Sequence, residues 1–237
     1  MPRHDRQLAL SLTTPCGWGG RRRDAGRKPG PNPRMQHRSR ADFRRTSPAH
    51  VTVRVVRGLP SLRTVRIVRE IEHTFAKGCT RQGFRLVHYS LQANHAHLIV
   101  EAQDREALGR GMMAIGARLA RAVNRVLGRS GRVLTDRYHV RLLPTPREVR
   151  NALRYVLLNA RRHAAAVRSA LRRTVRLDPA SSARWFDGWK PGSRGAAELP
   201  GRPAVAVERP AVARARTWLL TVGWRRSGLL DPADVPG

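Results

Sequence analysis

The chain has 237 residues and sets 47 Lys and Arg against 16 Asp and Glu, a formal net charge of +31 at pH 7. That length buries one core of about 100 to 150 residues with arms to spare, and its two cysteines, Cys16 and Cys79, exclude a disulfide framework or a cysteine-rich zinc module and suit a reducing cytoplasm. So large an excess of cation, nearly all of it arginine, favours a polyanionic partner with nucleic acid first, because each neutralised phosphate releases condensed counterions without any sequence readout.

Residues 1–48 are rich in Arg, Gly and Pro and show neither a period of 2 nor one of 3.6, so they read as a disordered basic arm. The one apolar piece there, Leu8 to Leu12, is shorter than a signal core and far short of a membrane span. The expectation is a protein of the cytoplasm with no membrane partner, a monomer or a homodimer. From His50 the texture changes. "HVTVRVV" alternates as a half-buried strand, with Val51, Val53 and Val55 on one face. "SLRTVRIVREIEHTFAKG" then spaces Leu62, Val65, Ile67, Val68, Ile71 and Phe75 as a helix, with Gly78 as its stop.

"FRLVHYSLQ" and "HAHLIVEA" read as two strands joined by the Ala93-Asn94 turn, and "DREALGRGMMAIGARLARAVNRVLG" as a long helix capped by Asp104. "RVLTDRYHVRLL" predicts a fourth strand with a bulge near Asp136 to Tyr138. "TPREVRNALRYVLLNARRHAAAV" restarts as one helix, with Thr145 as N-cap, Pro146 in the first turn and Glu148 completing a capping box. The order β-α-β-β-α-β plus a helix predicts an α+β fold of the ferredoxin-like split βαβ kind, in which the first and third strands are central. Residues 49–170 would form this domain. Residues 171–237 would be an appendage containing a Pro-rich linker and anchored by Trp185, Trp189, Trp218 and Trp224.

The third strand opens with His95 and His97, and strand alternation turns both imidazoles to one face. Alone, that spacing is equally a metal-ligand pair or two polar residues of a sheet. The last helix adds Tyr155 and, four residues on, Asn159, positions that share a helix face. If that face meets the histidines, two imidazoles, an amide oxygen and a phenol converge. Such a donor set suits Mg²⁺ or Mn²⁺ rather than structural zinc, and the phenol beside a metal-bound phosphate can attack phosphorus and store the bond as a phosphotyrosine. Tyr138 is the competing nucleophile. His88 and His139 read as structural or phosphate-contacting, and Arg154, Arg161 and Arg162 flank the helix as candidate contacts to nucleic-acid phosphates.

The stretches "YSLQANHAHLIVEA", "GRVLTDRYHVRLL" and "ALRYVLLNARRH" together resemble the single-tyrosine HUH transposases, in the branch of REP-associated tyrosine transposases, over residues 49–165. The resemblance implies that His95 and His97 are metal ligands, Ala96 the residue between them, Asn159 the third ligand and Tyr155 the nucleophile. It implies cleavage and rejoining of single-stranded DNA near hairpins through a 5′-phosphotyrosine. The sequence departs from the family pattern at Gln92-Ala93, where Met-Pro is usual, and at Ala160, where Pro is usual. A non-catalytic nucleic-acid binder derived from such an enzyme is the alternative, and a relaxase or replication initiator of the wider HUH group is a further one.

Overall fold

The computed structural model describes residues 43, 45–135, 137–159, 177–192 and 210–234. The expectations for most of the basic arm, for Asp136, for Arg161 and Arg162 and for most of the Pro-rich linker lie outside these residues. In chain order the elements are β1 (Ser47–Arg54), α1 (Val65–Ala76), β2 (Thr80–Arg81), β3 (Phe84–Leu91), β4 (His95–Ala102), α2 (Arg105–Val126), β5 (His139–Leu142) and α3 (Pro146–Leu157). A 3₁₀ turn at Ser182–Trp185, a one-turn helix α4 (Trp218–Thr221) and a second 3₁₀ turn at Gly223–Ser227 follow.

The strands form one sheet in the order β2-β3-β4-β1-β5, with its pairings antiparallel. The fold is α+β, and the first and third of the expected strands, β1 and β4, lie at its centre. They pair along their full length, from Ser47 opposite Ala102 to Arg54 opposite His95. Alternation then decides the faces. Val51, Val53, Leu98 and Val100 turn to one side, where α1 brings Ile67, Ile71 and Phe75 and α2 brings Leu108, Ile115 and Leu119. Fully burying one such side chain stabilises the fold by about 1.5–3 kcal/mol. A one-residue slip of β4 would turn Leu98 and Val100 away from α1 and α2 and bring His97 and Glu101 into the core beneath them, so the register that sets the direction of His95 and His97 is strongly specified.

The opposite face carries a second apolar cluster. Val87 and Ile99 of the sheet meet Val149, Leu153, Val156 and Leu157 of α3, with Phe186, Leu220 and Trp224 closing over them. A bulge in β3 between Leu86 and His88 makes this possible. The inserted residue puts Val87 in the second cluster, while Leu86 and Tyr89 stay in the first. The side chain of Asp104 caps α2 by accepting from the Ala107 amide at 2.7 Å, and that of Thr145 caps α3 by accepting from the Glu148 amide at 3.2 Å. The capping box is half made, because the Glu148 carboxylate accepts from the Thr145 hydroxyl and from Arg141.

Four expectations need correction. The hairpin partner β2, which reaches β3 through a turn with Gly83 at φ +69°, was not foreseen. The fourth strand is shorter than its apolar pattern suggests: only His139–Leu142 pairs with β1, while Leu134 makes an isolated bridge to Val55. The helix expected to run through Asn159 closes at Leu157, with Leu158 as C-cap at φ −110°, ψ 12°, so Tyr155 and Asn159 do not share one continuous helix. Among the tryptophans, Trp224 is fully buried and Trp185 and Trp189 pack on the clusters, but Trp218 is 49% exposed, with Arg226 over its ring.

Candidate active site

Because Ala96, Leu98 and Val100 of β4 face α1 and α2, the imidazoles at the alternate positions face the other way, toward α3. His97 is 5% exposed and sits between Ser90 of β3 and Thr52 of β1, its cross-strand partners. Its two ring nitrogens have different surroundings. Nδ1 lies 3.1 Å from His50 Nε2 and 3.2 Å from Thr52 Oγ1, both on β1. Nε2 lies 3.1 Å from His95 Nε2 and 3.4 Å from Tyr155 Oη, so the phenol of α3 meets the histidine pair. The His97 and Tyr155 rings stand edge to face, with centroids 5.0 Å apart.

His95 is oriented from its other side. Its Nδ1 donates to Asn94 Oδ1 at 2.8 Å, which in the neutral ring leaves the Nε2 lone pair directed at His97. Nitrogen ligands at about 2.1 Å from one metal ion stand about 3.0 to 3.4 Å apart, the range in which the two Nε2 atoms lie. The donor set therefore fits a divalent cation. Asn159 is 1% exposed and neither its Oδ1 nor its Nδ2 has a hydrogen-bond partner. A buried amide left unsatisfied costs about 1–3 kcal/mol, and a ligand accepted by its oxygen would remove part of that cost. Among the described residues no three His, Cys, Asp or Glu side chains group to hold a metal. Two imidazoles and an amide contain only two side chains of those types.

A cavity of about 490 Å³ opens beside Tyr155, lined by His50, Arg141, Glu148, Asn151 and Arg154 among others. Arg141 and Glu148 pair across it at 3.0 Å. Burial, and then the positive charge of Arg141, push the His50 pKa down to about 4, so its ring is neutral near pH 7. The same cavity wall places Arg154 beside Tyr155.

Tyr138, the competing candidate, packs against the cluster under α1 and α2, whereas Tyr155 packs against the cluster on the His97 face. His88 is buried and within 3.2 Å of the Ser182 hydroxyl, and burial pushes its pKa to about 4; it is part of the second cluster's packing. His139 lies exposed at the start of β5. Sequence reasoning missed His50, Thr52 and Arg141. The signal for the first two was present in "HVTV", whose polar alternates face the side opposite Val51 and Val53, but only the pairing of β1 with β4 gives them a partner.

No protein-family model and no curated protein matches the sequence. Among solved structures, the fold is similar to that of a REP-associated tyrosine transposase bound to a REP hairpin, at 13% identity and TM-score 0.42, covering 54% of this chain and 74% of that one. It is also similar to a protein described as a candidate transposase from Deinococcus radiodurans R1, at 14% identity and TM-score 0.35, covering 45% of this chain and 84% of the other.

Proposed function

We propose that the chain is a metal-dependent transposase that cleaves and rejoins single-stranded DNA near hairpins, with Tyr155 as nucleophile. The observation that carries this reading is the phenol of Tyr155 at 3.4 Å from the Nε2 of His97, on the side of the ring where His95 also presents its Nε2. His95 and His97, with Asn159, would hold Mg²⁺ or Mn²⁺. When bound, such a cation polarises the phosphoryl oxygens and orients the group for in-line attack.

The chain's own residues do the rest. The Tyr155 oxygen forms a bond to phosphorus as the bond from phosphorus to the 3′-oxygen breaks, the phenolic proton passes to solvent, and the departing 3′-oxygen takes up a proton. The strand on the 3′ side of the cut stays on Tyr155 through its 5′-phosphate, a phosphotyrosine that conserves the bond. Attack by a second strand's 3′-hydroxyl then restores the tyrosine and joins the strands. Arg154 at the cavity wall, and Arg161 and Arg162 later in the sequence, would hold the DNA backbone, since guanidinium forks match phosphate oxygens. The net charge of +31 supports a polyanionic substrate. Residues 1–48 and the appendage from 171 onward would add contacts to a hairpin, and the setting would be the cytoplasm.

The test is covalent trapping on denaturing gels, with labelled single-stranded hairpins, Mg²⁺ or Mn²⁺, and an EDTA control. A protein–DNA band that needs metal and is lost in Tyr155→Phe and His97→Ala is expected. DNA binding without such a band under either metal would replace this reading with that of a non-catalytic binder.

A further inference from the structure

The face of β1 that meets His97 has no part in the reaction as drawn, yet it touches both the histidine and the nucleophile. Building on the reading above, we propose that His50 and Thr52 are positioning residues that take the Nδ1 proton of His97 and thereby turn its Nε2 lone pair toward the metal and Tyr155. Thr52 is the direct cross-strand partner of His97, and His50 is two residues along the same face of β1. Thr52 Oγ1 and His50 Nε2 stand 3.2 and 3.1 Å from the same nitrogen. A neutral imidazole carries one proton, so a proton held at Nδ1 leaves Nε2 as an acceptor.

A cation shared with His95 requires this arrangement. His95 already has its Nδ1 occupied by Asn94 Oδ1 and so presents an acceptor at Nε2, and Tyr155 presents a hydroxyl. A proton on His97 Nε2 would stand where the phenol's own hydrogen and a shared cation must go. The two β1 side chains settle the choice from behind, in the way that outer partners commonly fix the tautomer and rotation of a ligating histidine. His50 adds a steric constraint. Its ring centroid lies 5.1 Å from that of His97 and 5.8 Å from that of Tyr155, the latter edge to face, so it spaces the nucleophile from the histidine.

The experiment uses the full chain, metal-free and labelled with ¹⁵N-histidine. Long-range ¹H–¹⁵N NMR reads the His97 tautomer, and titration with Mn²⁺ alone reads affinity. Wild type should show the proton on Nδ1. His50→Leu combined with Thr52→Val, both close in volume to the originals, should lose that preference and bind Mn²⁺ about 10- to 100-fold more weakly. His50→Gln, whose amide oxygen can accept the same proton, should stay near wild type, and thermal melts confirm that each variant is folded. A wild-type proton on Nε2, or a double variant that binds Mn²⁺ as tightly as wild type, would overturn the proposal. Wild type that binds no Mn²⁺ at all would sink the metal-dependent reading instead, and the tautomer of His97 would still decide the role of His50 and Thr52.

Discussion

Removing the carboxylate of Glu101 should loosen the C-terminal segment from the sheet and destabilise the whole domain. Glu101 is 1% exposed near the end of β4, on the face that carries His97. One oxygen accepts from the Arg216 amide at 2.9 Å and from the Thr217 amide and hydroxyl at 2.7 Å each; the other accepts from the Arg216 amide at 3.0 Å. Arg85 stands farther off, at 3.6 Å, so backbone donors rather than the ion pair dominate. Glu101→Ala strands two backbone N–H groups at about 1–3 kcal/mol each, toward the lower end because the site is only partly buried, for a total of about 3 kcal/mol. Glu101→Gln keeps one acceptor oxygen and should cost about half as much. In a domain of this size 1 kcal/mol corresponds to about 2–4 °C, so the alanine variant should melt about 6–12 °C lower. Thermal melting by circular dichroism reads the shift, and proteolysis should cut first between residues 210 and 234. An alanine variant within about 1 °C of wild type, with that segment still protected, would refute the reasoning.

Two glycines of α2 should respond with opposite signs. A Cβ at Gly111 would lie 2.1 Å from Phe84 Cγ, a buried ring, so overpacking of about 1–3 kcal/mol outweighs the helix-propensity gain in Gly111→Ala. At Gly109 nothing lies within 4 Å, and Gly109→Ala should stabilise by about 0.5–1 kcal/mol, both read by urea denaturation. Acid should weaken the fold between pH 6.5 and 4. The unfolded chain protonates His88 near 6.5 while burial holds the folded group down to about 4, so protons bind the unfolded state first and stability falls with pH, by as much as about 3 kcal/mol for this residue. His88→Gln should flatten that part of the pH–stability curve. Arg63→Ala should cost about 2–3 kcal/mol in the same denaturation assay, because it leaves the Asp178 carboxylate, 4% exposed, without the bidentate guanidinium that holds it at 2.8 and 2.9 Å.

What could be read from the sequence was local and periodic. The helices α1 and α2 follow from spacing, their boundaries from Asp104 and Gly78, and the central place of β4 from the order of elements. The bulge in β3 was hidden because "LVHYSL" is apolar enough to face either way, so Val87 and His88 share a face without breaking any visible pattern. The end of α3 was hidden because the helical period of "LLNARRHAAAV" runs on past Leu157, where α3 ends. Tyr138 and Tyr155 were separable only by the face each takes, which depends on the irregular stretch before β5. The contacts of His97 with Thr52 and His50 span 45 and 47 residues, a distance over which no motif spacing operates.

The position of the phenol depends on pieces far apart in the chain. Tyr155 stands on α3, and α3 is held on one side by Val87 and Ile99 of the sheet and on the other by Leu220 and Trp224 of the C-terminal segment. Arg150 of the same helix donates to the Gly228 carbonyl at 3.0 Å, which ties α3 to that segment directly. Glu101 in turn ties the segment to β4, the strand that carries the histidines. The helix with the tyrosine and the strand with the imidazoles are thus fastened to one another through a third element. A change in that element far from the cavity should therefore alter the 3.4 Å separation between Tyr155 and His97 before it unfolds the sheet. Positioning errors of about 1 Å can reduce a reaction that depends on near-attack geometry by about 100-fold, so Glu101→Gln should impair the covalent transfer proposed for Tyr155 more than its effect on stability alone accounts for.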